Sequence, residues 1–197
     1  AHLLRGMNID CKDIRIEARY QGSSAQLCWT AYRGGRKFSQ IAIEHFDETQ
    51  IAYVRHIGPY MMDPDLFCSL YMRLYTWAVP RKLVSADSKL FNVYHDDPFV
   101  TGHDRLRLSV GIEVPAGTET GGSISTMIIE GGDYAAASFE IDQEDYLSAW
   151  SLIYSDWFPQ SGYACKEGLS FEIPLQDPRE HPEGRHRIKI LIPVMPR

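Results

Sequence analysis

The sequence contains few cysteines and no closely spaced pair of them. The four are Cys11, Cys28, Cys68 and Cys165, and no CxxC motif is present. This spacing does not match the usual zinc-finger and thioredoxin-type patterns. Scattered thiols are typical of a reducing cytoplasm, where they pack as small apolar side chains. We therefore expect a cytoplasmic protein without a metal or redox centre.

Long apolar runs are also absent from the sequence. The longest extend over only a few residues, such as Ile190-Leu191-Ile192, whereas a membrane-spanning helix needs about 20. The sequence also lacks the G-x-G-x-x-G, P-loop and HExxH motifs that bind dinucleotides, nucleotide phosphates and zinc. We therefore expect no membrane partner and no cofactor.

One cluster of histidines and aspartates could be interpreted as a metal site. Its members match no ligand spacing of fixed geometry, and the Asp97-Pro98 pair recurs as Asp177-Pro178 without histidines. Aspartate before proline is typical of turns, where its carboxylate accepts backbone N–H groups. We therefore predict turns rather than metal binding for this cluster, which comprises His95, Asp96, Asp97, His103 and Asp104.

The charge of the chain is unevenly distributed. The net charge is -6, but residues 1–40 contain seven basic and three acidic side chains. The remainder is strongly acidic and would repel phosphates, so only the first segment could have faced nucleic acid. With 197 residues, 44% hydrophobic and 23% charged, the chain has the composition of an ordinary globular protein.

Hydrophobic periodicity and turn residues predict an α+β protein. Short helices are predicted over residues 12–19 and 23–33, and residues 38–49 are either a linker or an edge strand. Asp63 and Pro64 open a helix that runs to about Trp77 on a stripe of Leu66, Leu70 and Leu74. A second helix is predicted over 143–156. Strands are predicted over residues 50–58, 89–95, 105–114, 123–130, 134–141, 169–176 and 186–194.

An internal repeat with an offset of 80 residues organises this pattern. The segment FNVYHDDP at 91–98 matches FEIPLQDP at 171–178, and the strands that follow match at the same offset. The two long helices align as well, with Tyr71 and Tyr75 lying 79 residues before Trp150 and Tyr154. The repeat predicts duplicated β-α-β-β units with pseudo-twofold symmetry and a central ligand groove. Asn92 would then face Glu172 across the axis.

Several ordered motifs resemble those of the GyrI-like small-molecule-binding (effector) domain, over residues 45–197. They are AYVRHIGPY at 52–60, YHDDP at 94–98, AW at 149–150, IY at 153–154, WFP at 157–159, SGY at 161–163, SFE at 170–172, DP at 177–178 and PEG at 182–184. The resemblance implies the doubled β-α-β-β fold and a site for small organic molecules, often cations.

Residues 1–40 resemble a degenerate remnant of an AraC/XylS-type helix-turn-helix. The resemblance is carried by AHLLR at 1–5, KDI at 12–14, EARYQGSSA at 17–25 and YR at 32–33. Arg15 and Arg19 stand where that family usually has alanine and glycine, and the first helix-turn-helix is missing. We therefore expect no sequence-specific DNA binding by this chain.

Glu172 is the leading candidate for ligand contact. It lies on an otherwise apolar strand, where a carboxylate needs a cation, a hydrogen-bond donor or a proton, and it points to the axis if Phe171 faces the helices. In the family, the matching glutamate contacts the ligand. Aromatic rings attract lipophilic cations, and the candidates are Tyr60, Tyr94, Trp150 and Tyr154. Each of these could equally be a core residue, and Glu172 could be a solvated carboxylate.

Two functions fit these residues. The first is the effector-binding domain of an AraC-type transcription regulator, which binds amphipathic or cationic organic molecules without chemistry. The second, which the family resemblance also implies, is a cofactor-free hydrolase of reactive electrophiles. In that case Glu172 would be the general base, and a tyrosine such as Tyr94 would donate a hydrogen bond.

Overall fold

The computed structural model describes residues 14–21, 26–33, 36–85, 87–98 and 100–197, and they form an α+β fold with antiparallel sheet and two main helical segments. In chain order its elements are β1 (Ile14–Gln21), β2 (Gln26–Arg33), β3 (Arg36–Phe46), β4 (Thr49–Ile57), α1 (Pro64–Ala78), β5 (Leu90–Tyr94), β6 (Arg107–Glu113), β7 (Ile124–Ile129), β8 (Gly132–Ile141), α2 (Tyr146–Ser151), a π-helical turn (Leu152–Trp157), α3 (Phe158–Ser161), β9 (Tyr163–Cys165), β10 (Ser170–Pro174) and β11 (His186–Pro196).

The described residues divide into two compact units. The first unit contains the chain up to His45 together with residues 133–167 and 174–197. The second unit contains residues 46–132 and 168–173. No helix among the residues that the structure describes is both long enough and apolar enough to cross a membrane.

The second unit is built on a sheet with strand order β10-β5-β6-β4-β7, in which neighbouring strands run antiparallel. Helix α1 packs on β4 and β6. Oδ1 of Asp63 accepts a hydrogen bond from the backbone N–H of Leu66 at 3.0 Å, which satisfies a free donor of the first turn. The predicted stripe is confirmed, because Leu70, Leu74 and Trp77 are buried against Val54 and its neighbours.

The first unit contains the strand order β1-β2-β3-β8-β11, and β9 pairs with the end of β11. The helical run from Gln143 to Ser161 packs its apolar side on this sheet, and Leu152, Ile153 and Trp157 are buried in its core. The run continues beyond the predicted end at residue 156 into α3, which has Pro159 in its first turn, a position that tolerates proline.

The helices predicted over residues 12–19 and 23–33 are wrong. Residues 14–21 and 26–33 form the paired strands β1 and β2, and residues 12, 13 and 23–25 lie outside the described residues. Apolar residues alternate along β1 at Ile14, Ile16, Ala18 and Tyr20, which is the two-residue period of a strand. The described residues of this segment therefore form no helix-turn-helix.

The segment 38–49 is mainly a strand, but it is not at an edge. Strand β3 has β2 on one side and β8 on the other. The other predicted elements are confirmed within a few residues, and the order β-α-β-β occurs twice along the chain, as β4-α1-β5-β6 and as β8-α2-β10-β11 with β9 inserted. Gene duplication and pseudo-twofold symmetry stay predictions.

Candidate functional site

Glu172 occupies a buried position on the sheet of the second unit. Strand β10 pairs with β5 so that Glu172 lies directly opposite Asn92, the pairing that the internal repeat predicts. The side chain of Glu172 is only 1% exposed. Directly opposed residues of an antiparallel pair project from the same face, so both side chains meet on one side of the sheet.

Phe171 does not face helix α1, so the condition under which Glu172 was expected to point to the axis is not met. Phe171 packs on the opposite face of the sheet, with its ring 5.7 Å from that of Phe91 and 5.2 Å from that of Phe46. Because side chains alternate along a strand, this aromatic cluster directs Glu172 to the face that α1 covers. The buried phenylalanines therefore fix which way the carboxylate points.

Two side chains of β5 donate hydrogen bonds to the Glu172 carboxylate. The hydroxyl of Tyr94 donates to Oε2 at 2.8 Å, and Nδ2 of Asn92 lies 3.5 Å from the same oxygen. Asn92 and Tyr94 are two residues apart, so they share one face of the strand. These donors offset part of the free energy that burying a carboxylate requires.

Helix α1 contributes a third hydroxyl to this network. Tyr71 donates its hydroxyl proton to Oδ1 of Asn92 at 2.6 Å. Because the carbonyl oxygen of Asn92 accepts this hydrogen bond, the NH2 group of the same side chain is directed at Glu172. The network therefore runs from α1 through β5 to β10.

Tyr60, in the connection between β4 and α1, covers one side of Tyr94. The two rings lie 5.6 Å apart and are tilted by 38°, and Tyr60 is 5% exposed. Burial, together with the negative charges of Asp96, Glu172 and Asp97, raises the pKa of Tyr60 to about 12. Tyr60 therefore remains neutral at physiological pH, and its ring packs on Tyr94, whose hydroxyl binds the Glu172 carboxylate.

The structure thus brings Tyr60, Tyr94 and Glu172 together in the second unit. Trp150 and Tyr154 belong to the first unit, where their rings stack at 6.2 Å with an angle of 14°. Tyr154 also lies 5.7 Å from the ring of Phe158. The stacking agrees with the expectation that residues four apart share a helix face.

Sequence reasoning did not select Tyr71 and Asn92 as site residues. A usable signal was present in the repeat, which aligns Tyr71 with Trp150 and Asn92 with Glu172, both of which were selected. The residues of the first repeat that are equivalent to these two candidates could therefore have been predicted as well.

The predicted turns contain aspartates that bind arginine and backbone groups. Asp96 accepts hydrogen bonds from the backbone N–H of Arg107 at 2.8 Å and from its guanidinium. Asp177 caps a short helical turn by accepting from the backbone N–H of Arg179 at 2.9 Å. In the part of the chain that the structure describes, no group of three His, Cys, Asp or Glu side chains could hold a metal ion.

His95 belongs to a separate polar network beside this turn. Its Nε2 lies 2.9 Å from Oγ of Ser109 and 3.4 Å from Nη2 of Arg55. Burial and the positive charges of Arg55 and Arg107 lower the pKa of His95 to about 4. The imidazole is therefore neutral at physiological pH, and its Nε2 accepts the Arg55 hydrogen bond because a guanidinium can only donate.

The sequence family described as the GyrI-like small molecule binding domain matches residues 39–195. The chain belongs to this GyrI-like family. Among its relatives, DNA gyrase inhibitor 2 of Dickeya dadantii (strain 3937) is 31% identical over 128 residues, which cover 63% of this chain and 77% of the relative.

Solved structures agree with this assignment at the level of the fold. The C-terminal domain of EcmrR superposes with a TM-score of 0.62 at 15% identity, covering 81% of this chain and 99% of that domain. The GyrI-like chain spans only 59% of the EcmrR chain in its DNA complex. SAV2435 bound to tetraphenylphosphonium gives a TM-score of 0.51 at 8% identity, with coverages of 79% and 93%. A hydrolase encoded by lin2189 of Listeria innocua gives 0.52 at 11% identity, with coverages of 79% and 91%.

Proposed function

We propose that this GyrI-like protein is an effector-binding domain that takes amphipathic organic cations at Glu172. The observation that carries the proposal is the buried Glu172 carboxylate, which accepts a hydrogen bond from Tyr94, whose ring packs against that of Tyr60. The ligand-binding domain is assigned to residues 45–197, within which these residues lie.

A cationic ligand suits this arrangement for two physical reasons. A desolvated carboxylate attracts a positive charge more strongly than an exposed one, because little solvent screens the pair. Aromatic faces attract cations with about 0.5–2 kcal/mol each, and Tyr60 and Tyr94 supply two rings beside the carboxylate. The fold similarity to SAV2435, whose structure contains tetraphenylphosphonium, supports this class of ligand.

Trp150 and Tyr154 are proposed as further ligand contacts. Their parallel rings form a stacked pair, and Tyr154 is 36% exposed, so an aromatic surface of the first unit is open to a planar ligand.

Duplication of a β-α-β-β unit is also proposed, supported by the 80-residue offset and by the pairing of Asn92 with Glu172.

A role in transcription regulation is supported by the fold similarity to the C-terminal domain of EcmrR, a protein that has also been solved in complex with DNA. The AraC/XylS-type helix-turn-helix is not part of this proposal. It depended on two helices, whereas residues 14–21 and 26–33 form strands.

Hydrolysis of strained electrophiles is the second candidate, favoured by the 2.8 Å contact between Tyr94 and Glu172 and by the fold similarity to the lin2189 hydrolase. Glu172 would take a proton from water while the water oxygen attacks the electrophilic carbon. Tyr94 would give its proton to the heteroatom that leaves this carbon. The proton on Glu172 would then return to Tyr94 across their hydrogen bond, which completes the addition of one water.

Binding of tetraphenylphosphonium, measured by isothermal titration calorimetry, tests the first proposal. Glu172→Gln keeps the size of the side chain and removes its charge, so it should weaken binding by more than about tenfold. Glu119→Gln removes a charge from an exposed loop of the same unit and should leave the affinity unchanged. Equal affinity of the wild type and Glu172→Gln would refute the assignment of Glu172.

Mass spectrometry separates the two candidate functions. The protein is incubated with lipophilic cations and with strained electrophiles, and each compound is then recovered and weighed. Recovery at unchanged mass from a complex means binding alone. A catalytic gain of one water that Glu172→Gln abolishes means a hydrolase.

A further inference from the structure

The paired positions 92 and 172 carry an amide and a carboxylate. They lie directly opposite each other on β5 and β10, and both side chains are almost fully buried, at 7% and 1% exposure. Both side chains are polar, but only the glutamate can carry a negative charge. The pair therefore supplies one negative charge where two carboxylates would supply two.

The amide of Asn92 is held in one orientation. Its Oδ1 accepts the Tyr71 hydroxyl at 2.6 Å, and its Nδ2 faces Oε2 of Glu172 at 3.5 Å. An ionised carboxylate can only accept hydrogen bonds, so an amide nitrogen is the favourable group at this position. Asn92 thus supports the charged form of Glu172 without adding charge of its own.

We propose that Asn92 is a positioning residue that limits this site to one negative charge, so that the site selects organic cations with a single positive charge. The proposal rests on cation binding at Glu172. A ligand with a second positive charge would have to bury it against neutral side chains, and burying an unpaired charge is strongly unfavourable.

Tyrosines and aspartates lie around this pair. Tyr94 of β5 and Tyr71 of α1 are hydroxyl donors in the network, and Tyr60 stays neutral because its pKa is about 12. From the connection that follows β5, Asp96 and Asp97 act on Tyr60 by their charges, and Asp96 is paired with Arg107.

Ethidium and propidium test the proposal, because they share a phenanthridinium ring system and carry one and two positive charges. The dissociation constants of both are measured by fluorescence titration. We expect the wild type to bind ethidium at least about tenfold more tightly than propidium, since a second buried charge without a partner lowers affinity by this order.

Asn92→Asp places a second carboxyl group opposite Glu172. Two such groups share a proton until the pH is high enough to remove it, so propidium binding should release a proton. The preference for ethidium should fall by about tenfold as the pH rises from neutral into the alkaline range. The double variant Asn92→Asp/Glu172→Gln moves the single charge to the other strand and should regain the preference for ethidium.

Gln143→Glu adds the same charge at an exposed position and should leave the ratio of the two affinities unchanged. Equal affinities of the wild type for the two dyes would overturn the proposal, even if Asn92→Asp does not fold. An unchanged ratio in a folded Asn92→Asp protein would overturn it as well. If neither dye nor tetraphenylphosphonium binds the wild type, cation binding at Glu172 itself is refuted.

Discussion

Tyr94 and Glu172 are joined by a hydrogen bond of 2.8 Å between the Tyr94 hydroxyl and Oε2 of the carboxylate. The bond connects two adjacent strands of the second unit, and its acceptor is almost completely removed from water. Hydrogen bonds to charged groups contribute about 1.5–3 kcal/mol each, roughly twice the contribution of neutral ones. This hydrogen bond therefore contributes to the stability of the fold and also holds the carboxylate of the candidate site in place.

Replacement of Tyr94 by phenylalanine should separate these two contributions. The variant retains the ring beside Tyr60 and loses the donor to Glu172, so we expect the free energy of unfolding to fall by about 1–3 kcal/mol. Denaturant unfolding measures this change. If the protein only binds ligands, cation affinity should change by a few fold, whereas a hydrolase should lose about a hundredfold or more in turnover.

The matched control for Tyr94→Phe is Tyr53→Phe. Tyr53 lies on strand β4 of the same sheet and contacts the guanidinium of Arg55 through its ring, which phenylalanine preserves. An equal loss of stability in both variants would contradict the importance assigned to the Tyr94–Glu172 hydrogen bond.

The sequence was sufficient to predict that Glu172 and Tyr94 lie close together. The 80-residue repeat predicted that Asn92 would lie opposite Glu172, and strand alternation then placed Tyr94 on the same side. It was not sufficient to decide which face of β10 meets α1, because Phe171 and Glu172 each have a partner on their own face. That choice depends on Phe46 and Phe91, which contact Phe171 only after the chain folds.

The strands β1 and β2 were missed for a different reason. Glu17, Ala18 and Arg19 of β1 are good helix formers, although the charged residues Arg15, Glu17 and Arg19 alternate with apolar ones. Strand pairing favours the two-residue alternation, since β1 pairs with β2 along its whole length. Local propensity is readily overridden by such pairing.

Tyr60 should titrate at unusually high pH. Burial is the largest cause of its raised pKa of about 12, and the charges of Asp96, Glu172 and Asp97 add to it. The folded-state pKa lies above that of an unfolded tyrosine, which is about 10. The contribution of neutral Tyr60 to the stability of the fold is therefore fully present below the unfolded-state pKa. This contribution is lost as the pH rises through the folded-state pKa.

Ultraviolet absorbance of tyrosinate, compared between the wild type and Tyr60→Phe, measures this titration. The difference curve should show one group that ionises near the stated pKa. In Glu172→Gln the same group should ionise at lower pH, because one of the negative charges is removed while burial remains. A difference curve centred on the ordinary tyrosine pKa would contradict the burial of Tyr60.

His95 should remain neutral well below the pH at which an ordinary histidine is protonated. Burial lowers its pKa to about 4, and the charges of Arg55 and Arg107 contribute in the same direction. Since the folded-state pKa lies below the unfolded value of about 6.5, the unfolded chain binds the proton more readily between these two values. Stability therefore decreases as the pH falls through this range.

Nuclear magnetic resonance titration of the His95 ring protons tests this assignment. Arg55→Gln removes one positive charge and should raise the pKa of His95, although burial should keep it below the ordinary value. Arg73→Gln removes an exposed charge from α1 and is the matched control. A pKa that is equal in the wild type and in Arg55→Gln would show that the guanidinium has no influence on the imidazole.

Gly131 has little room for a side chain, because backbone atoms of Phe46 and Glu48 lie close to it. A β-carbon at this position would lie 2.9 Å from the backbone nitrogen of Glu48 and 3.3 Å from the carbonyl oxygen of Phe46. The backbone between β3 and β4 would therefore have to shift, and the same segment carries Phe46 into the aromatic cluster that orients Glu172. We expect Gly131→Ala to lower the free energy of unfolding by about 1–3 kcal/mol.

Gly121→Ala is the control for this substitution, because no described atom lies within 4 Å of a β-carbon built there. It should change stability by less than about 0.5 kcal/mol. Gly131→Ala should also weaken tetraphenylphosphonium binding if displacement of Phe46 allows Phe171 and Glu172 to move. Loss of stability at unchanged affinity would mean that the aromatic cluster holds Glu172 in place without support from the 46–48 backbone.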